Sequence, residues 1–273
     1  MNAAGAQGRL QAGTGIALAA TIALLALVSL VWTPHGGVAA GTPLAEPGAS
    51  HWLGTDQAGR DLVAALMSGT LMSLLLAWFA TLVGMVVGIP LGALLAARLG
   101  AGERRQLVLV GLLPPALCLG AILGALQVQS TLSVFLAIGV PGAVAAALAS
   151  RAILAPVLAE DYVAAARLAG LGWLAAVQRH VVPTALPALV ALGLELLAAA
   201  LLVEVTLSFA GLGVDGTGLS LGTLLRDGQQ LAQARPLLVI APGAVAVVTS
   251  LALLVGANGL RAGGLMEGRD APA

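Results

Sequence analysis

Lysine is absent from this sequence, and all 12 basic residues are arginine. A chain without lysine cannot supply the lysine of a P-loop or of a Schiff base, so any ATP used with this protein must bind another subunit. The single cysteine, Cys118, excludes an internal disulfide. The formal net charge is zero, which gives no basic footprint for nucleic acid, so we expect no nucleic-acid partner.

Charge of either sign is also scarce. Charged residues make up 9% of the chain and hydrophobic residues 59%, with a mean hydropathy of +1.02. Such a chain has too little polar surface to cover a water-soluble globule. The composition therefore predicts an integral membrane protein that has lipid as its surroundings.

Six apolar stretches are long enough to cross a bilayer, which takes about 20 residues per helix. They predict an all-α protein with six transmembrane helices, at about 14–33, 71–97, 107–126, 131–149, 185–207 and 237–258. The remaining parts of the prediction are a tail at 1–13, an external loop with an interfacial helix at 34–70, a transmembrane core at 71–258 that includes a polar loop at 150–184, and a second tail at 259–273. A cleaved signal over residues 1–40 is the alternative for the first span, although its apolar run is long for a signal.

The positions of the arginines predict the orientation, because positive residues are enriched on the cytoplasmic side. With the N-terminus inside, three arginines are external: Arg60, Arg226 and Arg235. The other nine are cytoplasmic. We therefore expect both termini, and the loop at 150–184, in the cytoplasm.

That loop holds the sequence EDYVAAARLAGLGWLAAVQRHVVP at 160–183. Good helix formers predict a helix over 160–169, Gly170 and Gly172 interrupt it, and a second short helix is predicted over 173–181. Pro183 suits the first turn of the next span. The result is a helix-turn-helix whose small side chains permit close approach by another surface, and the competing interpretation is an ordinary solvated loop.

These residues resemble a known family. The spacing from Ala164 to Pro183 is similar to the "EAA" loop of ABC-importer permeases, and RHVVPTALPAL looks like the dipeptide, oligopeptide and nickel branch. HWLGTDQAGRDLV at 51–63 resembles the HPLGTDxxGRD signature of that branch. VEVTLSFAGLGV at 203–214, followed by LSLGTLLRDG at 219–228, resembles its AEaSLSFLGLG…WGxml segment. The three motifs occur in order and span most of residues 51–261.

The resemblance implies a type I ABC-importer permease fold in a bacterial plasma membrane. The EAA loop would be a coupling helix-turn-helix seated on a separate ATPase, with its motif at Ala164, Ala165, Ala166, Arg167, Gly170, His180 and Pro183. The implied partners are a second permease subunit, two ATPase subunits that carry ATP and magnesium, and an extracytoplasmic solute-binding protein. The chain itself would have no catalytic residue, cofactor or metal. One departure is Ala164, which stands where the motif has glutamate; Glu160 and Asp161 are possible substitutes.

A compact external cluster is formed by Asp56, Gly59, Arg60 and Asp61. The resemblance suggests that it meets the binding protein or orders an external gate. The structural alternative, which we favour, is a helix cap, with Asp56 or Thr55 capping a helix that begins near Gln57.

Glu195 and Glu204 are the only charges within the six predicted spans, where carboxylates are costly and usually face protein or water. Nine residues apart, they lie on opposite faces of one helix. Glu204 matches the acid of the family segment and is predicted to anchor the outer loop. Glu195 has no family match; a neutral, hydrogen-bonded acid is favoured slightly over contact with a cationic cargo.

Glycines at 84, 88 and 92 form a smooth strip that predicts a packing face between helices. Two other functional classes are less well supported. A secondary transporter predicts inverted repeats around a midplane site, and none is evident. An intramembrane enzyme predicts a motif such as HExxH or GxSxG, and neither occurs. The sequence favours an importer permease for peptides or a related solute, with nickel, a metal chelate or an opine as the alternative cargo.

Overall fold

The computed structural model of the protein describes residues 3–32, 41–99, 108–125, 131–170, 172, 175, 177–213 and 219–267. Within these ranges the chain is helical, and the only β pairing is an isolated bridge between Thr55 and Asp61. The helices are α1 (Ala3–Val28), α2 (Leu62–Leu99), α3 (Val108–Ala125), α4 (Thr131–Leu158), α5 (Asp161–Leu168), a π-helical turn (Val177–Val181), α6 (Val182–Phe209), α7 (Leu221–Gln229) and α8 (Leu237–Glu267). The predicted all-α class is confirmed.

Four of the described helices have the length and hydropathy needed to cross a membrane. They are Leu62–Leu99, Leu132–Leu158, Val182–Phe209 and Leu237–Ala262. The apolar part of α1, Gly13–Val28, is shorter, and α3 occupies the place of the predicted third span. The protein is thus a multi-pass membrane protein, and the count of six spans stays a prediction.

Two helix boundaries differ from the prediction. Helix α2 begins at Leu62 and runs for 38 residues without a break, so the predicted interfacial helix and the predicted second span lie in one continuous helix. Helix α8 continues to Glu267, past the predicted end at residue 258. Residues 259–267 contain three glycines but no proline, and the helix continues through them beyond the predicted end of the span.

Helices α2 and α4 pack closely along the predicted glycine strip. A Cβ atom at Gly88 would lie 2.5 Å from Ala146 Cβ and 2.6 Å from the carbonyl oxygen of Ala143. A Cβ atom at Gly92 would overlap Ser150 Oγ. The strip is therefore a helix–helix packing face, as predicted.

Helix α1 lies along α8 with similarly close backbones. A Cβ atom at Gly15 would overlap the backbone of Gly256 and lie 2.7 Å from the carbonyl oxygen of Ala252. The two helices therefore approach backbone to backbone at this point.

Two hydrophobic clusters organise the rest of the core. The first, which we call the α7-side cluster, includes Leu62, Val134, Leu201 and Leu221. The second, the α5-side cluster, consists of Ala93, Ala96, Leu154, Ala155, Val163, Val181, Ala185 and Leu189. It joins the loop helix α5 to the adjacent ends of α2, α4 and α6, so that this loop is packed onto the membrane helices.

Candidate functional site

The loop that bears the EAA-like motif has one buried side and one exposed side. Val163 is 3% exposed and packs into the α5-side cluster, whereas Ala164 and Ala165 are exposed and Ala166 is half-buried. At the end of α5, the side chain of Leu168 is 90% exposed. Helix α5 is therefore anchored by buried Val163, and its exposed side carries the small side chains together with Tyr162 and Leu168.

Gly170 follows α5 with a φ of +93°, a conformation that glycine adopts readily and that side chains rarely adopt. Among the described residues, no heavy atom lies within 4 Å of the position of an added Cβ, so it is the backbone conformation that favours glycine here. Pro183 lies in the first turn of α6, as predicted. The side chains of Arg167 and His180 fall outside the described part of the structure, as does much of the predicted second helix over 173–181.

The predicted external cluster lies on the opposite side of the protein, and its members form hydrogen bonds with one another. Asp56 Oδ1 accepts hydrogen bonds from the backbone N–H groups of Ala58 and Arg60, and Asp56 Oδ2 accepts one from Arg60 Nε at 2.6 Å. Gly59 has a φ of +75° and lies against the carbonyl oxygen of Gly41, where a Cβ would overlap. These contacts fix the loop, which supports the structural interpretation of the cluster.

The cap of α2 is Asp61, so the prediction of Asp56 or Thr55 as the cap is wrong. Asp61 Oδ1 accepts hydrogen bonds from the N–H groups of Val63 and Ala64, at 2.8 and 3.3 Å, and Oδ2 contacts His51 Nδ1 at 2.9 Å. The Thr55 hydroxyl instead donates to the carbonyl oxygen of Thr42. Thr55 and Asp56 were the only candidates predicted from the sequence, whereas the turn at Gly59 places the start of the helix at Leu62.

The same loop borders a cavity of about 300 Å³ next to α7 and α8. Asp56, Gln57, Arg60 and Asp227 provide its polar lining. Gln57 Nε2 donates to the carbonyl oxygen of Asp227 at 2.6 Å, which ties the loop to α7. The predicted external loop and α7 therefore form one connected surface.

Glu204 is completely buried where α6, α2 and α7 meet. Its Oε1 accepts a hydrogen bond from Ser208 at 2.7 Å, and the hydroxyl groups of Ser73 and Ser220 face the same carboxyl group. Ser73 Oγ also accepts from the N–H of Leu221, the first residue of α7. Glu204 Oε2 has no hydrogen-bond partner among the described residues. This geometry supports the predicted anchoring of the outer segment.

Glu204→Ala is expected to lower the stability of the protein by about 3 kcal/mol, because it leaves a cavity and unsatisfied buried hydroxyls. Glu204→Gln keeps the shape and one acceptor oxygen, so its cost should be smaller. Thr206→Ala on the exposed side of the same helix is the control, and thermal unfolding in detergent measures all three. Equal stability of Glu204→Ala and Thr206→Ala would contradict the anchoring role.

Glu195 has a partner that neither sequence interpretation anticipated. Arg261 on α8 contacts both carboxylate oxygens of Glu195, with a distance of 2.6 Å between Nη2 and Oε2. Sequence reasoning placed Arg261 in a cytoplasmic tail, which hid the pair. An unpaired carboxylate within a membrane span is energetically costly, so the sequence could have predicted that Glu195 pairs with a cation on a neighbouring helix.

Comparison with known proteins now identifies the family. No protein-family model matches the chain. The nickel transport system permease protein NikC of Escherichia coli K12 is 28% identical over 247 residues, which cover 89% of each chain. A putative peptide transport system permease protein of Brucella suis is 29% identical over 248 residues, or 88% of this chain and 82% of the relative. The oligopeptide transport system permease protein OppC of Mycobacterium tuberculosis is 30% identical over 223 residues, or 80% and 76%.

The apolar helices define the class as a multi-pass membrane protein. Within that class, the chain belongs to the permease subunits of the peptide and nickel family of ABC importers. Both identifications agree with the resemblance seen in the three sequence motifs.

Proposed function

We propose that this chain is the transmembrane permease subunit of an ATP-driven importer and forms half of a translocation pathway for peptides or a related small solute. The observation that carries the proposal is the similarity to importer permeases over 80–89% of the chain. Because the match to NikC covers 89% of both chains, it supports the role of a whole permease subunit.

The partners proposed are a second permease subunit, two ATPase subunits and an extracytoplasmic solute-binding protein. ATP and magnesium bind to the ATPase subunits, since this chain has no lysine with which to build a P-loop. The chain contributes movement and a pathway, and the hydrolysis of ATP takes place on its partners.

The ATPase contact is assigned to the exposed side of α5 and the turn at Gly170. Ala164 and Ala165 permit close approach, and Leu168 offers an exposed apolar side chain at the centre of such a contact. Val163 and Val181 share the α5-side cluster with the first residues of α6. A push on α5 therefore reaches the membrane helices through packed side chains and without a flexible linker.

The cargo proposed is a short peptide, and uptake by a deletion strain tests it. Cells that lack this chain should lose uptake of a radiolabelled tripeptide and keep uptake of radioactive nickel ions, and the wild-type gene should restore the loss. Loss of nickel uptake with normal peptide uptake would contradict peptide as cargo. If the deletion strain takes up both the tripeptide and nickel ions normally, neither solute is the cargo of this protein.

The topology proposed has six spans with both termini in the cytoplasm, because nine of the 12 arginines then lie inside. Reporter fusions that distinguish the two sides of the membrane should be external at Ala45 and internal at Gly170 and after Ala273. An external reporter at Gly170 would place α5 on the wrong side for contact with an ATPase.

A further inference from the structure

The cavity of about 300 Å³ beside α7, which we call the Asp227 cavity, has an apolar floor and a polar rim. Its floor is formed by three buried leucines, Leu62, Leu224 and Leu238. All three belong to the α7-side cluster, so the cavity rests directly on the hydrophobic core. A cavity with such a floor suits a group that docks from one side.

Two contacts hold the walls of this cavity in place. The side chain of Gln57 donates its 2.6 Å hydrogen bond to the backbone of Asp227, which joins the predicted external loop to α7. A Cβ atom at Gly228 would lie 2.6 Å from the carbonyl oxygen of Leu238, so α7 and α8 meet without a side chain between them. The cavity is therefore already formed in this chain, which lowers the entropy cost of binding a partner.

The rim carries two carboxylates and one guanidinium group, and their bonding differs. Asp56 is fully engaged, because Oδ1 accepts from two backbone N–H groups and Oδ2 accepts from Arg60 Nε. Asp227 is exposed, and no donor among the described residues pairs with its carboxylate. The neighbouring Arg226 lies instead against Gly211. The rim therefore has one uncompensated negative charge, at Asp227.

A carboxylate above an apolar floor fits a basic side chain, whose aliphatic stem packs on the leucines while its charged head meets Asp227. Arginine fits best, because its planar guanidinium group has five N–H donors for the carboxylate oxygens of Asp227 and the amide oxygen of Gln57. The volume of the cavity lies at the lower end of the range for small-molecule sites. It therefore accommodates one long side chain and not a folded segment.

We propose that the Asp227 cavity receives an arginine side chain of the extracytoplasmic solute-binding protein. The identity of the partner rests on the proposed function, which places the loop and α7 outside the cell. An arginine that fills a preformed pocket contributes a large share of the binding energy of an interface, because the surrounding contacts exclude water from the charged pair. Asp227 is then the acceptor for this anchoring side chain.

The chemistry of the cavity can be tested without a partner protein. Butylguanidinium reproduces the stem and head of arginine, and butylurea has nearly the same shape without the charge. Ala58, an exposed residue of the rim, is replaced by cysteine in a parent that carries Cys118→Ser, and the rate of its modification by a maleimide is measured. Butylguanidinium should slow the modification about threefold more than butylurea, the effect of a partly exposed ion pair, and Asp227→Asn should remove the difference.

Docking is measured with the complete importer complex in lipid nanodiscs and its purified solute-binding protein. Asp227→Asn should weaken the affinity about tenfold, and Asp227→Arg, which brings like charges together, about a hundredfold or more. Butylguanidinium should compete with the solute-binding protein, whereas butylurea should not. The control is Glu46→Gln, which removes a carboxylate that pairs with Arg235 outside the lining of the cavity, and its affinity should stay within about twofold of the wild type.

Wild-type affinity of both Asp227 variants, or an equal loss of affinity in Glu46→Gln, would overturn the proposal and leave the proposed function intact. Equal protection by butylguanidinium and butylurea would overturn it as well. Loss of the second permease subunit from the Asp227→Asn complex would also overturn it, because the cavity would then belong to the contact between permeases. If the wild-type complex captures no solute-binding protein, the proposed function and the identity of the partner fail together, and the maleimide experiment still decides whether the cavity binds a guanidinium group.

Discussion

Gly170→Val is expected to yield a permease that inserts into the membrane but no longer captures its ATPase. The φ of +93° at Gly170 lies in the region that β-branched residues avoid, at a cost of about 1–2 kcal/mol. That strain alone corresponds to roughly a tenfold loss of affinity if the turn must keep its shape for docking. A valine side chain on the exposed turn would also hold the ATPase surface away from Ala164 and Ala165.

The matched control is Gly172→Val, two residues further along the same exposed segment. Gly172 also has open space around the position of a Cβ, but its φ is not in the left-handed region. We expect Gly172→Val to retain most of the ATPase and Gly170→Val to lose it, as measured by copurification and by ATP turnover. Wild-type behaviour of Gly170→Val on both measures would make residues 160–183 an ordinary loop.

Gly88→Ala is expected to destabilise the protein by about 3 kcal/mol, the upper end of what an added methyl group costs in a packed core. The new Cβ would collide with Ala146 Cβ and with backbone atoms of Ala143 and Ala147, none of which can rotate away. For a chain of this size the thermal midpoint in detergent should fall by roughly 10 °C.

Gly142→Ala on the facing helix provides the control for this prediction. No heavy atom of the described residues lies within 4 Å of a Cβ placed there, and alanine is the better helix former, so the midpoint should stay level or rise slightly. A midpoint for Gly88→Ala equal to that of Gly142→Ala would show that the two helices can separate at no cost, contrary to the packing described.

Features governed by local chemistry could be predicted from the sequence. Apolar runs predicted the four described spans, glycine spacing predicted a helix-packing face on α2, and Pro183 was predicted at the start of α6. Each of these depends on residues close together in the chain, so a short window holds the necessary information.

Features that depend on distant residues could not be predicted. The cap of α2 required knowing that Gly59 turns the chain against Gly41, 18 residues earlier. The partner of Glu195 lies 66 residues away, on a helix whose end was placed too early. A span predicted from hydropathy ends where polar residues begin, whereas helix α8 continues beyond that point.

The most direct test of the importer permease is ATP hydrolysis by the complex that this chain holds together. The tagged wild-type chain is purified in mild detergent, reconstituted into liposomes and supplied with ATP and the solute-binding protein. We predict that ATPase subunits copurify and that the binding protein stimulates their hydrolysis of ATP. Purification without an ATPase, together with solute uptake that needs no ATP, would contradict the account.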